Sequence, residues 1–150
     1  MAVSAFNFTG AGVNVVNDTV NGWAEVQVPG GAVAGRAAPR DVNLGAVAGA
    51  QSVNFSGADY DVCIRLTLTA NVTLDLQNVP VLGRVSIRVQ QATTGGPFTF
   101  ALTQDGSATT IRWDGGAPHT MSTATSAVDR IAGEKASTTI ELGTVGKGFA

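Results

Sequence analysis

The sequence predicts an all-β chain: an antiparallel β-sandwich of jelly-roll type, preceded by an N-terminal hairpin and an extended arm. Three observations point there. Apolar and polar residues alternate in run after run, the period of a strand with one buried face. Clusters of Gly, Pro, Asn and Asp punctuate those runs at intervals of about eight to twelve residues, a spacing typical of sandwiches. No stretch holds a helical period convincingly.

Taken in order, Gly12 to Asn17 and Trp23 to Val28 read as two strands joined by a turn at Asp18 to Gly22. Pro29-Gly30-Gly31 then breaks the pattern. Ala32 to Ala50 is rich in Gly and Ala, with Pro39 between Arg36 and Arg40. It has too few large apolar residues to pack a core. It reads as an arm ordered by contact with a partner, or else as a long loop lying on its own domain. The expected division is therefore residues 1–50 as hairpin and arm, and 51–150 as the sandwich body.

The body begins with the clearest alternation. Val62, Ile64, Leu66 and Leu68 share one face, and Cys63, Arg65, Thr67 and Thr69 the other. Val72, Leu74 and Leu76 continue it, followed by Val85, Ile87 and Val89, then Phe98, Phe100 and Leu102. Asn78-Val79-Pro80, Gly95-Gly96-Pro97 and Asp105-Gly106-Ser107 supply turns. Ile111 and Trp113 form a short strand, and Asp114 to Pro118 a longer loop. Ser126 to Ala136 fits either a short helix weakened by Gly133 or a strand from Ala127 to Ile131. Ile140 and Leu142 mark the last strand, from Thr138 to Leu142.

Composition narrows the function classes. A chain of 150 residues with 44 % hydrophobic residues can build a core. Charged residues are only 13 %, about half the usual share. With 11 acidic and 9 basic residues the net charge is -2, which offers no basic face for nucleic acid. So uncharged a surface is poor at keeping monomers apart, and easier to understand when covered in an assembly. The start, Met1-Ala2-Val3-Ser4-Ala5, lacks the basic and apolar regions of a signal peptide, and no apolar run is long enough to span a bilayer. A soluble product of a cytosol, without membrane contact, is expected. Cys63 is the only cysteine, so neither an intrachain disulfide nor a structural zinc site can form.

Catalytic chemistry has little to draw on. His119 is the only histidine, and no serine sits in a Gly-x-Ser-x-Gly elbow. His119 is expected at an exposed or interface position, with no acid and hydroxyl meeting it in one pocket. Asp59 and Asp61 lie on the same side of an extended segment, but a calcium loop needs more oxygen ligands in sequence. No catalytic, metal or cofactor residues are assigned. Trp113 shares parity with Ile111 and is expected in a core or interface. Trp23 lies opposite Ala24, Val26 and Val28, as an exposed anchor would. Trp23, Arg36 and Arg40 are the candidate interface residues.

The order of motifs after Leu66 resembles a β-rich module of tailed-bacteriophage virion proteins, of head-decoration and tail-fibre type. The segments are Leu66 to Leu74, Gly83-Arg84-Val85-Ser86-Ile87, Leu102-Thr103-Gln104-Asp105-Gly106 and Ile111-Arg112-Trp113. Gly115-Gly116-Ala117-Pro118, Ser126-Ala127-Val128-Asp129 and Gly146 to Ala150 complete the series. Two stretches depart from the pattern: Arg130 to Lys135 replaces an apolar strand, and Gly143-Thr144-Val145-Gly146 replaces a terminal Thr-Thr-Trp. The resemblance implies a non-enzymatic particle component, often trimeric. On that basis the expected role is a capsid decoration protein on the virion surface, assembled in the host cytoplasm. Its partners would be the major capsid protein and copies of itself as a homotrimer. The alternative is a tail-tip or tail-fibre component contacting the host surface, which an aromatic, acid-lined cleft would favour.

Overall fold

The computed structural model of the chain describes residues 14–18, 23–27, 38–57 and 59–149. These residues form strands and loops and no helix. The chain divides into two units, Met1–Arg36 and Ala37–Ala150. In the first, β1 (Asn14–Asp18) and β2 (Trp23–Gln27) pair antiparallel, from Asn14 opposite Gln27 to Asp18 opposite Trp23.

The second unit holds a seven-stranded sheet of β3 (Arg40–Asn54), β4 (Asp61–Gln77), β5 (Arg84–Gln91), β6 (Phe100–Gln104), β7 (Ile111–Trp113), β8 (Val128–Ala136) and β9 (Thr139–Phe149). Two expectations are corrected here. The boundary at residue 50 would cut through β3. The later half of the supposed arm is instead an edge strand, held by its backbone ladder to β4, which requires no large side chains. The sheet is also mixed rather than antiparallel. β4 runs parallel to β3, β5 and β6, and β7 runs parallel to β9, while β5–β8 and β8–β9 are antiparallel. Period two reports which face is buried and is blind to strand direction.

Parallel neighbours joined by a short loop need a special path. β3 has 15 residues, which would span about 50 Å if straight. The link from Asn54 to Asp61 reaches only about 25 Å. β3 must therefore bend back toward its own start. It does so at Gly45 and Gly49, whose φ values of 67° and 69° favour glycine. Arg40 shows the ring closing: its guanidinium donates to Asn54 O at 2.8 Å. β4 bends at the same level, where Thr69, Ala70 and Asn71 fall between the pairs Val47–Leu68 and Gly49–Val72. Each long strand is thus two arms of one coil.

Register gives the repeat. Arg40 stands beside Val62, 22 positions on, and Val62 beside Val85, 23 positions on. Three coils therefore stack: β3, β4, and β5 followed by β6. The third coil carries an extra corner loop between Gln91 and Phe100. The buried Gln91 side chain spans that loop, donating to Phe98 O and accepting from Phe98 N. Inward residues of both arms join one core, with Val62, Ile64, Leu66, Leu68, Val72, Leu74 and Leu76 all buried. Each contributes about 1.5–3 kcal/mol through burial.

β8 and β9 cover the far side of the stack. Ile87 pairs with Ile131, and β8 turns into β9 through Ser137 and Thr138. The segment that could have been helix or strand is strand because its backbone completes the edge of β5. Gly133 lets β9 cross closely: a Cβ there would lie 1.8 Å from Glu141 O. The sheet does not close on itself, since β6 and β7 are not hydrogen-bonded neighbours.

Candidate functional site

Two regions stand out, one polar and buried, the other an open strand edge. The first is built on Asp129, a charged residue at an inward position of β8, in parity with buried Ala127 and Ile131. Val128, Asp129 and Ile131 are all buried, Asp129 completely. Its carboxylate accepts four hydrogen bonds. Oδ1 accepts from Ser122 Oγ at 2.6 Å and Gly148 N at 2.8 Å. Oδ2 accepts from Ser122 N at 2.7 Å and His119 Nε2 at 2.9 Å. Burial alone would raise this carboxyl, but the bonds from Ser122, His119 and Gly148 outweigh it and hold the pKa below the ordinary value. Asp129 stays ionised and ties the 119–122 loop and the end of β9 to β8.

His119 is not the exposed histidine that was expected. Its side chain is 4 % exposed, and it bridges Asp129 to Thr144, with Nδ1 and Thr144 Oγ1 2.8 Å apart. An ionised carboxylate only accepts, so Nε2 carries a proton; in the neutral ring Nδ1 then accepts from the Thr144 hydroxyl. His119 does meet an acid and a hydroxyl, Asp129 and Thr144, as hydrogen-bond partners. The chain Thr144–His119–Asp129 has the connectivity of a nucleophile–base–acid relay. However, neither hollow that His119 lines includes Thr144. The other hydroxyl, Ser122 Oγ, bonds to Asp129 rather than to the imidazole.

The knot also sets an aromatic wall. The rings of His119 and Trp113 stack with centroids 6.5 Å apart and planes at 26°. Between β6 and β7, where the sheet fails to close, lies a cleft of about 550 Å3 lined by Phe100, Leu102, Ile111, Trp113, Pro118 and His119 among others. A second hollow is lined by Trp113 with Arg112, Asp114 and Glu141. Trp113 is half-buried, between these two spaces.

The second region is β3. It ends the sheet, so its outer edge has no strand partner among the described residues. Of its 15 residues only Val47 and Val53 are buried. Strand edges are normally guarded by charge or proline. Here Arg40 and Asp41 are the only charged residues of the strand, and both are held within the unit. Arg40 pairs with Asp59 at 2.7 Å and Asp41 with Arg65. From Val42 to Asn54 the edge carries no charge.

The interface candidates fall unevenly. Arg40 closes a coil rather than projecting freely. Arg36 lies outside the described residues. Trp23 begins β2, and its side chain lies outside the described part. Among the described residues, no group of three or more His, Cys, Asp or Glu side chains could hold a metal ion. Sequence reading missed Asp129 and Thr144. The one signal was an acid in parity with the apolar Ala127 and Ile131 of Ala127-Val128-Asp129-Arg130-Ile131. No family model, curated protein or solved structure matches the chain.

Proposed function

We propose that the chain is a non-enzymatic structural subunit of a bacteriophage particle, a decoration protein that joins copies of itself and the major capsid protein on the outer head lattice. The observation that carries the assembly role is the long edge of β3 at the open end of a coil stack, uncharged from Val42 onward and without a strand partner among the described residues. Such an edge is a template for another strand. Tyr60, Val81 and Leu82 are further exposed apolar side chains, on the loops that join one coil to the next. The phage setting rests on the resemblance of the ordered motifs from Leu66 to Ala150. Under this reading the Asp129 knot is a fastener that stiffens the far end of the stack. The test is electron microscopy of particles with labelled antibody against the chain, alongside particles lacking it. Label across the head, and heads that disrupt more readily without the protein, support the proposal. Label confined to the tail, or absent from particles, refutes it.

A tail-tip or tail-fibre role contacting host glycans has one observation in its favour. Trp113 offers an aromatic surface beside Arg112, Asp114 and Glu141, the mixture of stacking and hydrogen-bonding groups that suits a sugar. Binding to a glycan array that is lost in Trp113→Ala supports that role; no binding by the full chain removes it.

A further inference from the structure

We infer that two copies of this chain pair antiparallel along their β3 edges, about a two-fold axis passing Val47. The inference rests on the assembly reading above and names its partner and register.

Contour selects the occupant. The β3 edge is not a straight groove that any extended peptide could follow. It turns a corner between Gly45 and Gly49 and returns toward its start, where Arg40 reaches Asn54. A strand that pairs along both arms needs the same corner at the same place. β3 has it, and the corner is symmetric: Gly45 and Gly49 lie two residues either side of Val47, with φ values of 67° and 69°. Antiparallel pairing centred on Val47 therefore sets Gly45 of one copy opposite Gly49 of the other, so corner meets corner. A shift of register would set a bend against a straight arm.

The remaining pairs agree. Ala46 falls opposite Ala48, Asn43 opposite Gln51, and Arg40 opposite Asn54. No like charges meet, because the strand from Val42 onward has none. A Cβ built on Gly45 or Gly49 meets none of the described residues within 4 Å, so these leave the corner open. Peptide direction agrees as well. Thr69 Oγ1 donates to Val47 O at 2.9 Å, so the Val47 carbonyl faces β4. Along a strand the neighbouring groups face the other way, which turns those of Ala46 and Ala48 toward the second copy. At present Ala48 O accepts from the Gln51 side chain at 2.9 Å, a bond that a partner N–H would replace. A two-fold contact of this kind is isologous and closed. It builds a dimer, not the threefold assembly that the resemblance implied.

Sedimentation velocity of the full chain over a wide concentration range tests this. The wild type should sediment as a dimer. Ala46 and Ala48 are both exposed, so substitution there leaves the core intact, which circular dichroism checks. Ala46→Lys with Ala48→Lys sets lysine against lysine twice and should weaken dimerisation about tenfold or more. Ala46→Lys with Ala48→Glu sets the new lysine of each copy against the new glutamate of the other and should restore it. A wild type that is monomeric throughout, a trimer indifferent to these substitutions, or equal effects of the two double variants would overturn the inference. Particle labelling decides the broader reading separately. A monomer still found on heads leaves the decoration role standing, and a dimer absent from particles leaves only the pairing.

Discussion

Replacing Asp129 by Asn probes the buried knot with the smallest possible change in shape. The carboxylate has two oxygens, each taking two donors. The amide keeps one oxygen and gains two N–H donors. With that oxygen toward Ser122 Oγ and Gly148 N, the amide nitrogen faces Ser122 N and His119 Nε2. The imidazole can change tautomer and accept, but the Ser122 N–H cannot. In the reverse orientation Ser122 Oγ can accept, and the Gly148 N–H is stranded instead. Either way one buried N–H loses its partner, at a cost of about 1–3 kcal/mol, and the other bonds lose charge assistance of about 0.5–1 kcal/mol each. Relief of carboxylate desolvation offsets part of this. The net expectation is a loss of about 3 kcal/mol, a large share of the 5–15 kcal/mol typical of a folded domain. Urea unfolding at neutral pH measures it, and an unchanged m-value would assign the change to stability. Near-ultraviolet circular dichroism should change too, since His119 backs Trp113. A loss below about 1 kcal/mol with an unaltered aromatic signal would refute the view that Asp129 organises this end of the molecule.

Other expectations follow from single contacts. Gly133→Ala forces a methyl to within 1.8 Å of Glu141 O and must push β8 from β9. It should cost about 3 kcal/mol or more, whereas Gly143→Ala, whose nearest neighbour lies at 3.7 Å, should change the thermal midpoint little. Equal effects of the two would show that the strand crossing is not tight. Acid should destabilise the fold. Asp129, Asp75 and Asp59 are all held below the ordinary 3.8. A depressed carboxyl contributes stability above its unfolded pKa, and that contribution is lost as pH falls through the folded value. Urea midpoints should therefore be flat from neutral pH to about 4 and then drop; a rise below that point would contradict the assignment. Arg40→Ala removes the bonds to Asp59 and Asn54 O. It should cost about 1 kcal/mol, because the guanidinium is half-exposed, with the effect shrinking as salt is added.

The strands of the core were legible because their chemistry is local. The parity of Val62 to Leu76, Val85 to Val89, Ile111, Ile140 and Leu142 names the buried face directly, and each of those inward positions is buried. Direction and partner were not legible. The coil depends on how Arg40, Gly45, Gly49 and Asn54 act together, and no period in the sequence reports that. The Gly- and Ala-rich run from Arg40 to Ala50 looked structureless because it lacks bulk. It is ordered by backbone bonding to β4, which composition does not record. The knot was hidden for a different reason. His119, Ser122, Asp129, Thr144 and Gly148 converge from a loop and two strands, with no spacing rule to unite them. Only Asp129 betrayed itself, as a charge at the parity of Ala127 and Ile131, where an apolar residue is expected.

The position of β8 as the cover of β5 has a consequence for synthesis. Residue 91 ends β5 and residue 128 begins β8, so 37 positions separate a strand from its cover. At translation rates of about 5–20 residues per second, the last coil stays uncovered on the ribosome for about 2–7 s. During that interval a nascent stack has open edges at both ends, and neighbouring ribosomes on one message hold such stacks close together. The tempo of translation through Ala92 to Ala127 therefore governs how long like edges can find one another before the lid arrives.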